Sequence, residues 1–349
     1  MPGETGWRFP YGTACTPWGS SKTSKKASPA LKCCRGTWTR CSCASPDAAS
    51  GKRRMNEMSV ISRLVARNLK VFLRDRTSVF FSFLSVIIII GLYAIFLGKL
   101  QVNGIRNAVG DVPGVRYLVD AWIMSGLLAV NTVTVGLGAL GIMVHDMENR
   151  LMLDFLVAPV NRMKIVVSYL ISACTIGFLL SLVTLVVSQV YIVSNGGSLP
   201  DVAGLLKAVG IIALCVASSL SILFLFVTFI HTESAFSTLS TVLGTMIGFV
   251  AGIYVPVGVL PPAVQKLVNV VPVSHGAALL RQIFMEKPLQ TVFQGAPENV
   301  AADYIRVYGV RLFWNDVEIG MPVMLGVLAL SGLVFLVLSI FRLRRMKDL

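Results

Sequence analysis

Long apolar runs recur along this 349-residue chain, and polar, charged or proline-containing segments separate them. A helix needs about 20 apolar residues to cross the hydrocarbon core of a bilayer. The pattern therefore predicts an all-α integral membrane protein with six transmembrane helices, over residues 78–97, 121–144, 165–193, 208–230, 234–255 and 322–341. Because the number of predicted spans is even, both termini are expected on the same side of the membrane.

The segment before the first run, residues 59–74, has the pattern of an amphipathic helix. At 100° per residue its cations share one narrow stripe, and Ile61, Val65 and Phe72 lie on the opposite side. Such a helix lies along the membrane surface with its cations toward headgroups or a partner protein. A simple topology anchor is the alternative, and the two interpretations are compatible. The cations are Arg63, Arg67, Lys70 and Arg74.

The composition supports a membrane protein. Charged residues make up 14% of the chain, whereas a soluble domain has roughly 25%. The net charge of +14 also occurs in nucleic-acid-binding proteins, but neither zinc spacing nor aromatic-basic interleaving accompanies it, so we expect no nucleic-acid partner. Cytoplasmic loops collect Lys and Arg. The basic residues before the first run and after the last one therefore predict a multi-pass plasma-membrane protein with both termini in the cytoplasm.

The first 57 residues differ from the rest of the chain. They carry ten Lys and Arg against three Asp and Glu, hold five of the seven cysteines, and show no apolar periodicity. A metal-binding or targeting tail is one interpretation, but no matching Cys and His pairs are present. We expect residues 1–57 to be a disordered extension, with Met55 or Met58 as an alternative first residue, and residues 58–349 to form the transmembrane domain.

Residues 145–164 form a predicted cytoplasmic loop between the second and third runs. It opens with a charged cluster, and then Leu151, Leu153, Phe155 and Leu156 alternate with the acid Asp154. The loop is too charged to span a membrane, yet its apolar residues need burial. A short helix that docks into a partner's groove satisfies both conditions; an interfacial helix against the protein's own spans is the alternative. The charged residues are Asp146, Glu148, Arg150 and Asp154.

The turn at residues 231–234 joins the fourth and fifth runs and carries His231 and Glu233. Ionisable groups in membrane proteins are candidates for metal or proton sites. Because these two lie at a helix end close to water, we favour a solvated turn in which Thr232 caps the next helix. We expect no metal site in the chain.

Prolines crowd the segment that follows the fifth run, where they break any continuing helix. The spacing predicts one short helix over residues 261–271 and a second over residues 273–287, both too short to cross. Together they describe a re-entrant hairpin on the outer side, which needs cover from protein or a water-filled cavity. Its marker residues are Pro256, Leu260, Pro261, Pro272 and His275.

Hydroxyl and amide side chains interrupt two of the apolar runs, where they either line a translocation path or pack helices together. Gly244, Gly248 and Gly252 repeat every four residues and predict a close helix contact. Because no acid or base lies in the middle of a run, we expect an amphiphilic or lipid-like substrate. The polar residues are Asn131, Thr132, Thr134, Ser237, Thr238, Ser240, Thr241 and Thr245.

The pattern G-xxx-P-xxx-LP-xx-VQ-xxxxxx-P-x-SH-xxxx-LR from Gly252 to Arg281, with six runs and a basic amphipathic helix before them, resembles the ABC-2 type permeases of drug and lipid exporters of the daunorubicin-resistance kind. One departure is Asn149, where members of that family often have glycine. The resemblance implies a separate ATPase subunit that binds ATP and Mg²⁺, surrounding lipid, and a second permease, which is either the same chain in a homodimer, the arrangement we favour, or a homologue. It also implies that the cations of the amphipathic helix and the loop at residues 146–154 contact the ATPase subunit and receive its movement when ATP binds.

No phosphate-binding loop or nucleophile triad occurs in the sequence, so we expect no enzymatic activity and no cofactor bound by this chain. The main alternative function is an ion-coupled secondary transporter of small hydrophobic molecules. That class needs ionisable residues near the midplane, in broken helices of paired repeats. A channel, which needs a ring of carbonyls or charges, and a lipid-modifying enzyme are further alternatives.

Overall fold

The computed structural model describes residues 57–93, 95, 98–109, 112–151, 161–294, 297–315 and 317–345. Twelve α-helices, one short 3₁₀ helix and one two-stranded hairpin occur among them. The predicted extension before residue 57 lies outside the described residues. In chain order the helices are α1 Glu57–Arg74, α2 Arg76–Leu92, α3 Gly98–Val109, α4 Val115–Glu148, α5 Arg162–Ser194, α6 Val202–Val227, α7 Glu233–Val250, α8 Pro262–Val270, α9 Pro272–Phe284, α10 Glu286–Val292, α11 Glu298–Val307 and α12 Met321–Arg345.

Four of the described helices, α4, α5, α6 and α12, are long and apolar enough to cross a membrane. They correspond to four of the six predicted runs. Two bent pairs bring the candidates to as many as six: α1 with α2, at 69°, and α8 with α9, at 89°. The chain is therefore a multi-pass, mainly helical membrane protein. The helix of the fifth predicted run, α7, is not among these candidates, and it ends at Val250, before the predicted boundary.

Helix α4 is the centre of the bundle. Its most apolar 18-residue stretch is 78% buried, whereas the corresponding stretch of α12 is only 22% buried. Lipid or protein can cover a helix that is apolar on every side, and α4 is covered by protein, because it packs against α5, α6, α7 and α9. At 34 residues it is about 51 Å long. It therefore connects the two ends of the bundle.

The predicted proline-bounded helices are present as α8 and α9. Pro262 and Pro272 are the first residues of these helices, where a missing N–H leaves no hydrogen bond unmade. Ser274 and His275 bind the end of α8: the Ser274 hydroxyl donates to the Val268 carbonyl at 2.6 Å, and His275 Nε2 lies 2.8 Å from the Asn269 carbonyl. The turn between the helices is thus closed by side chains from the second one.

Arg281, on the buried face of α9, holds the end of α7. Its guanidinium is 1% exposed and donates to the carbonyls of Ala251 at 2.6 Å, Gly252 at 3.0 Å and Gly309 at 3.3 Å. It also lies 5.4 Å from the ring centre of Trp122 in α4. One side chain therefore supplies hydrogen bonds to three backbone carbonyls where the chain is not regularly helical.

Gly252 shows why glycine occupies the end of α7. Its φ is +65°, a left-handed conformation that L side chains rarely adopt. A Cβ built there would lie 2.7 Å from Val257 Cγ2. The chain turns sharply at this residue into the short 3₁₀ helix Val257–Val259. The turn needs both the backbone freedom and the missing side chain.

The segment after α9 forms a small cap of α10, α11 and the two strands Phe313–Trp314 and Val317–Glu318. The strands pair antiparallel and were not predicted. Tyr308 attaches the cap to α4, because its carbonyl accepts from Trp122 Nε1 at 2.9 Å. Lys287 in α10 donates to Asp201 at 2.8 Å, beside the start of α6, and this hydrogen bond lowers the pKa of the Asp201 carboxyl.

We expect Arg281→Gln to lower the stability of the protein, because a glutamine cannot reach three carbonyls and leaves some of them unpaired. The expected loss is about 3 kcal/mol, a fall of at least about 5 °C in the midpoint of thermal unfolding in detergent. The Arg281→Lys variant should unfold at a temperature between those of the wild type and the Arg281→Gln variant, since lysine keeps the charge but not the planar guanidinium.

Arg311→Gln is the matched control. Arg311 is exposed and pairs with Glu318 at 3.0 Å, and surface ion pairs contribute little. An Arg281→Gln protein that melts at the same temperature as the wild type would show that the carbonyls find other donors.

Candidate functional site

A buried acid lies near the end of α4. Asp146 is 1% exposed and accepts hydrogen bonds from three donors. Arg67 in α1 contributes two of them, one from Nη1 to Oδ2 and one from Nη2 to Oδ1 at 3.3 Å. The third comes from the Tyr169 hydroxyl in α5. The carboxylate therefore joins three helices at one point.

Asn68, the next residue of α1, adds a second link. It is 2% exposed, its Nδ2 donates to Ser172 Oγ at 3.3 Å, and its Oδ1 accepts from Arg67 Nη1 at 3.0 Å. Phe72, one helical turn further on, is also buried. One face of α1 is thus bound to α5 and α4.

The four predicted cations of α1 separate into two groups. Arg67 turns inward to Asp146, so it neutralises an acid of the same chain. Arg63, Lys70 and Arg74 are exposed and remain available to headgroups or a partner. The single stripe expected at residues 63–74 missed this division, because a helical projection does not show where an adjacent helix supplies an acid.

The predicted loop at residues 145–164 begins later than expected. Residues 145–148 continue α4, and the chain leaves the helix at Asn149. Arg150 is exposed and has φ +59°. Asp154 and the predicted docking helix around it fall in residues 152–160, outside the described residues. Asp146 and Glu148 therefore belong to a helix end rather than to a loop, and Arg150 lies just past that end.

Glu148 binds the start of α7. Its Oε2 accepts from the backbone N–H of Glu233, the first residue of α7, and the Glu233 carboxylate contacts His145 Nδ1. A helix N-terminus has unpaired N–H groups and a partial positive charge, both of which favour a carboxylate. Thr232 Oγ1 accepts from Ala235 N at 3.3 Å, which confirms the predicted cap.

A shallow cleft of about 360 Å³ separates α4 from α7. Three of the predicted path residues line it: Thr134, Ser237 and Ser240. The remaining lining is Leu137, Gly138, Phe236 and Gly244. The structure therefore brings residues from the second and fifth predicted runs together at one surface, which is mainly apolar with a few hydroxyl groups.

The other predicted path residues lie elsewhere. Asn131 and Thr132 are buried between helices; Asn131 Nδ2 donates to Thr184 Oγ1 at 3.1 Å and Thr132 Oγ1 to the Ala129 carbonyl at 2.7 Å. Thr238, Thr241 and Thr245 are exposed on α7 and donate to carbonyls of their own helix. Packing therefore accounts for the first pair.

The glycine stripe of α7 serves mainly its own chain. A Cβ on Gly248 would lie 2.3 Å from the Tyr254 ring, and Gly252 forms the turn described above. Of the three glycines, only Gly244 would have no atom within 4 Å of an added Cβ. The predicted small-residue face thus reduces to one open position, because the chain folds back over the other two.

Besides the burial of Asp146, sequence reasoning missed the burial of two further charges, Asp120 and Arg281. Asp120 lies just outside the predicted run at residues 121–144, but the structure places it in the second turn of α4, where it is 4% exposed. Arg281 was noted only as the end of a motif. A possible signal for Asp120 is its spacing from Arg116, four residues earlier, which places the two side chains on one face of a helix.

The helices and the bent pairs define a class, the multi-pass helical membrane proteins. The chain belongs to the ABC-2 type transporter family, whose model matches residues 59–285, from α1 to the end of α9. The resemblance inferred from the sequence is therefore confirmed at the level of the family. The chain is the permease component of an ABC transporter, a transport component rather than a catalytic domain. No curated protein matches it.

We expect the Arg67→Gln and Asp146→Asn substitutions to be non-additive. Each one removes a partner of the same buried contact, so the double variant should lose less stability than the sum of the single variants. The expected coupling is about 1–3 kcal/mol, measured by unfolding in detergent.

A parallel cycle of Arg63→Gln with Asp146→Asn should be additive, because Arg63 is exposed and contributes no described contact to Asp146. Additive behaviour of the Arg67 cycle would contradict a direct pair.

Proposed function

We propose that this permease is the membrane subunit of an ATP-driven exporter, with six spans and both termini in the cytoplasm of a plasma-membrane protein. In this proposal a separate ATPase subunit binds ATP and Mg²⁺ and performs the hydrolysis. Two permease copies enclose the path in a homodimer, and α8 with α9 forms a re-entrant hairpin on the outer side. The substrate is an amphiphile of the drug or lipid type.

The observation that carries the proposal is the junction of Arg67, Asp146 and Tyr169. A helix that lies on the membrane surface transmits force only if it is attached to the spans, and this junction attaches α1 to α4 and α5. The exposed cations of α1 leave a basic surface for an acidic partner. A push on α1 would therefore displace α4 as a rigid body.

The hydrogen bond between Glu148 and the backbone N–H of Glu233 extends that movement to the cleft. Because Glu148 at the end of α4 holds the first N–H of α7, the two helices that line the cleft share one attachment. A displacement of α4 would therefore also move the start of α7. Closing and opening the cleft between inward and outward states requires such coordinated movement of its two walls.

The lining of the cleft supports an amphiphilic substrate. Its described residues are hydroxyl, glycine and apolar side chains, and no acid or base is among them. A strongly charged substrate would need a counter-ion there. An amphiphile requires only apolar contact and a few hydrogen-bonding groups.

Reconstitution into proteoliposomes with the neighbouring-gene ATPase tests the proposal. We expect transport that requires ATP, and we expect Arg67→Gln to lower transport about fivefold while ATP hydrolysis by the complex persists, since the junction lies outside the ATPase. Lys266→Gln, an exposed cation on α8, is the matched control and should transport normally.

Transport that proceeds without ATP and follows an imposed proton or sodium gradient would support the secondary transporter instead. Failure of the ATPase to co-purify with the permease in nanodiscs would argue against the subunit arrangement.

Cysteine accessibility tests the path. In a background without native cysteines, we expect Ser237→Cys, in the cleft between α4 and α7, to react with a membrane-impermeant maleimide, because a hydrated path keeps the thiolate available. Val334→Cys on α12, also exposed in the single chain, should stay unreacted because it faces lipid. Equal reactivity of the two positions would contradict a path along α7.

A further inference from the structure

A small polar pocket lies at the other end of α4 from Asp146. It has a volume of about 250 Å³ and is enclosed by α3, the start of α4, and two tyrosines from neighbouring helices. None of its residues belongs to the cleft or to the junction described above. The pocket therefore requires a separate explanation.

One face of α3 lines this pocket. Lys99, Val102, Asn103 and Arg106 recur at the three- and four-residue spacing of a single helical face. Leu100, which does not line the pocket, is 56% exposed. A membrane-surface helix ordinarily turns its cations to water and headgroups and its apolar side inward. Here the polar, basic face is directed at a pocket of the protein.

Asp120 forms the inner wall of the pocket. It is 4% exposed, and its Oδ2 has no hydrogen-bond partner among the described residues. The nearest cation, Arg116, lies 3.8 Å away at Nε, beyond hydrogen-bond distance, and its Nη2 donates to Asn195 at 2.6 Å instead. A buried carboxylate oxygen without a donor costs free energy. A donor from a bound molecule would remove that cost.

The charges around the pocket specify the molecule. Among the described residues that line the pocket, three are cations (Lys99, Arg106 and Arg116) and one is an acid (Asp120), so the site favours an anion that also carries an N–H or O–H donor. Leu92 and Ile95, on either side of the pocket residue Tyr93, are 51% and 76% exposed. They offer apolar surface beside the polar site, as acyl chains require.

We propose that this pocket binds a phospholipid headgroup. Lys99 and Arg106 hold the phosphodiester, and Asp120 accepts a hydrogen bond from the ammonium or hydroxyl group of the same headgroup. A primary ammonium satisfies Asp120, whereas the quaternary ammonium of choline has no N–H to donate. The site therefore prefers phosphatidylethanolamine to phosphatidylcholine.

Native mass spectrometry of the purified full-length chain tests this assignment, with dioleoyl-phosphatidylethanolamine, dioleoyl-phosphatidylcholine and inorganic phosphate as separate probes. The measurement needs neither ATP nor a partner subunit, so its result is independent of the exporter proposal. The wild type should retain the ethanolamine lipid about tenfold more strongly than the choline lipid, the difference expected for one charge-assisted hydrogen bond.

Variants assign the contacts. Lys99→Gln and Arg106→Gln should each weaken retention of both lipids about fivefold. Asp120→Asn should remove the ethanolamine preference and keep choline-lipid binding. Lys207→Gln, an exposed cation beside a different cavity, is the matched control and should bind as the wild type.

Three results would overturn the proposal: unchanged lipid retention in the Lys99 and Arg106 variants, equal losses in the Lys207 control, or displacement of the lipids by inorganic phosphate at equal concentration, which would make the site one for free phosphate. If Asp120→Asn does not fold, the Lys99 and Arg106 variants decide the lipid site on their own.

Discussion

A backbone carbonyl that is buried away from water needs a donor from the protein, and this constraint decides where the chain can leave a regular helix. The end of α7 is such a place, and Arg281 meets the constraint by donating to the carbonyls of Ala251, Gly252 and Gly309. Ser274 and His275 do the same for the end of α8. The breaks that shape the hairpin are therefore stable because side chains of α9 replace the missing backbone partners.

At the opposite end of α4 the constraint concerns charge. Burying a carboxylate is costly unless it is paired and hydrogen-bonded, and Asp146 has Arg67 on one side and Tyr169 on the other. The compensation comes from two different helices. For this reason the acid serves as an attachment point, which a pair within one helix could not provide. The central helix connects this attachment to the cap and hairpin at its other end.

Much of the architecture was predictable from the sequence. The apolar stretches of α4, α5, α6 and α12 are long enough to cross a bilayer core, and prolines mark the starts of α8 and α9. The burial of Asp120 and Asp146 was not predictable, because both lie near helix ends, where an acid is normally solvated. The roles of Gly248 and Gly252 were also missed, since Tyr254 and Val257 reach them only after the chain turns.

The sequence by itself determined the membrane class, the family and the amphipathic character of α1, because these depend on local periodicity and on a contiguous motif. Only the tertiary structure decided which charges are paired. Arg67 and Asp146 are 79 positions apart, and nothing in a single sequence links two ionisable residues at that separation. The same holds for Thr134 and Ser240, which come from two different helices and meet at one cleft. Long-range pairing depends on how helices pack, and packing depends on the shapes of all their side chains at once.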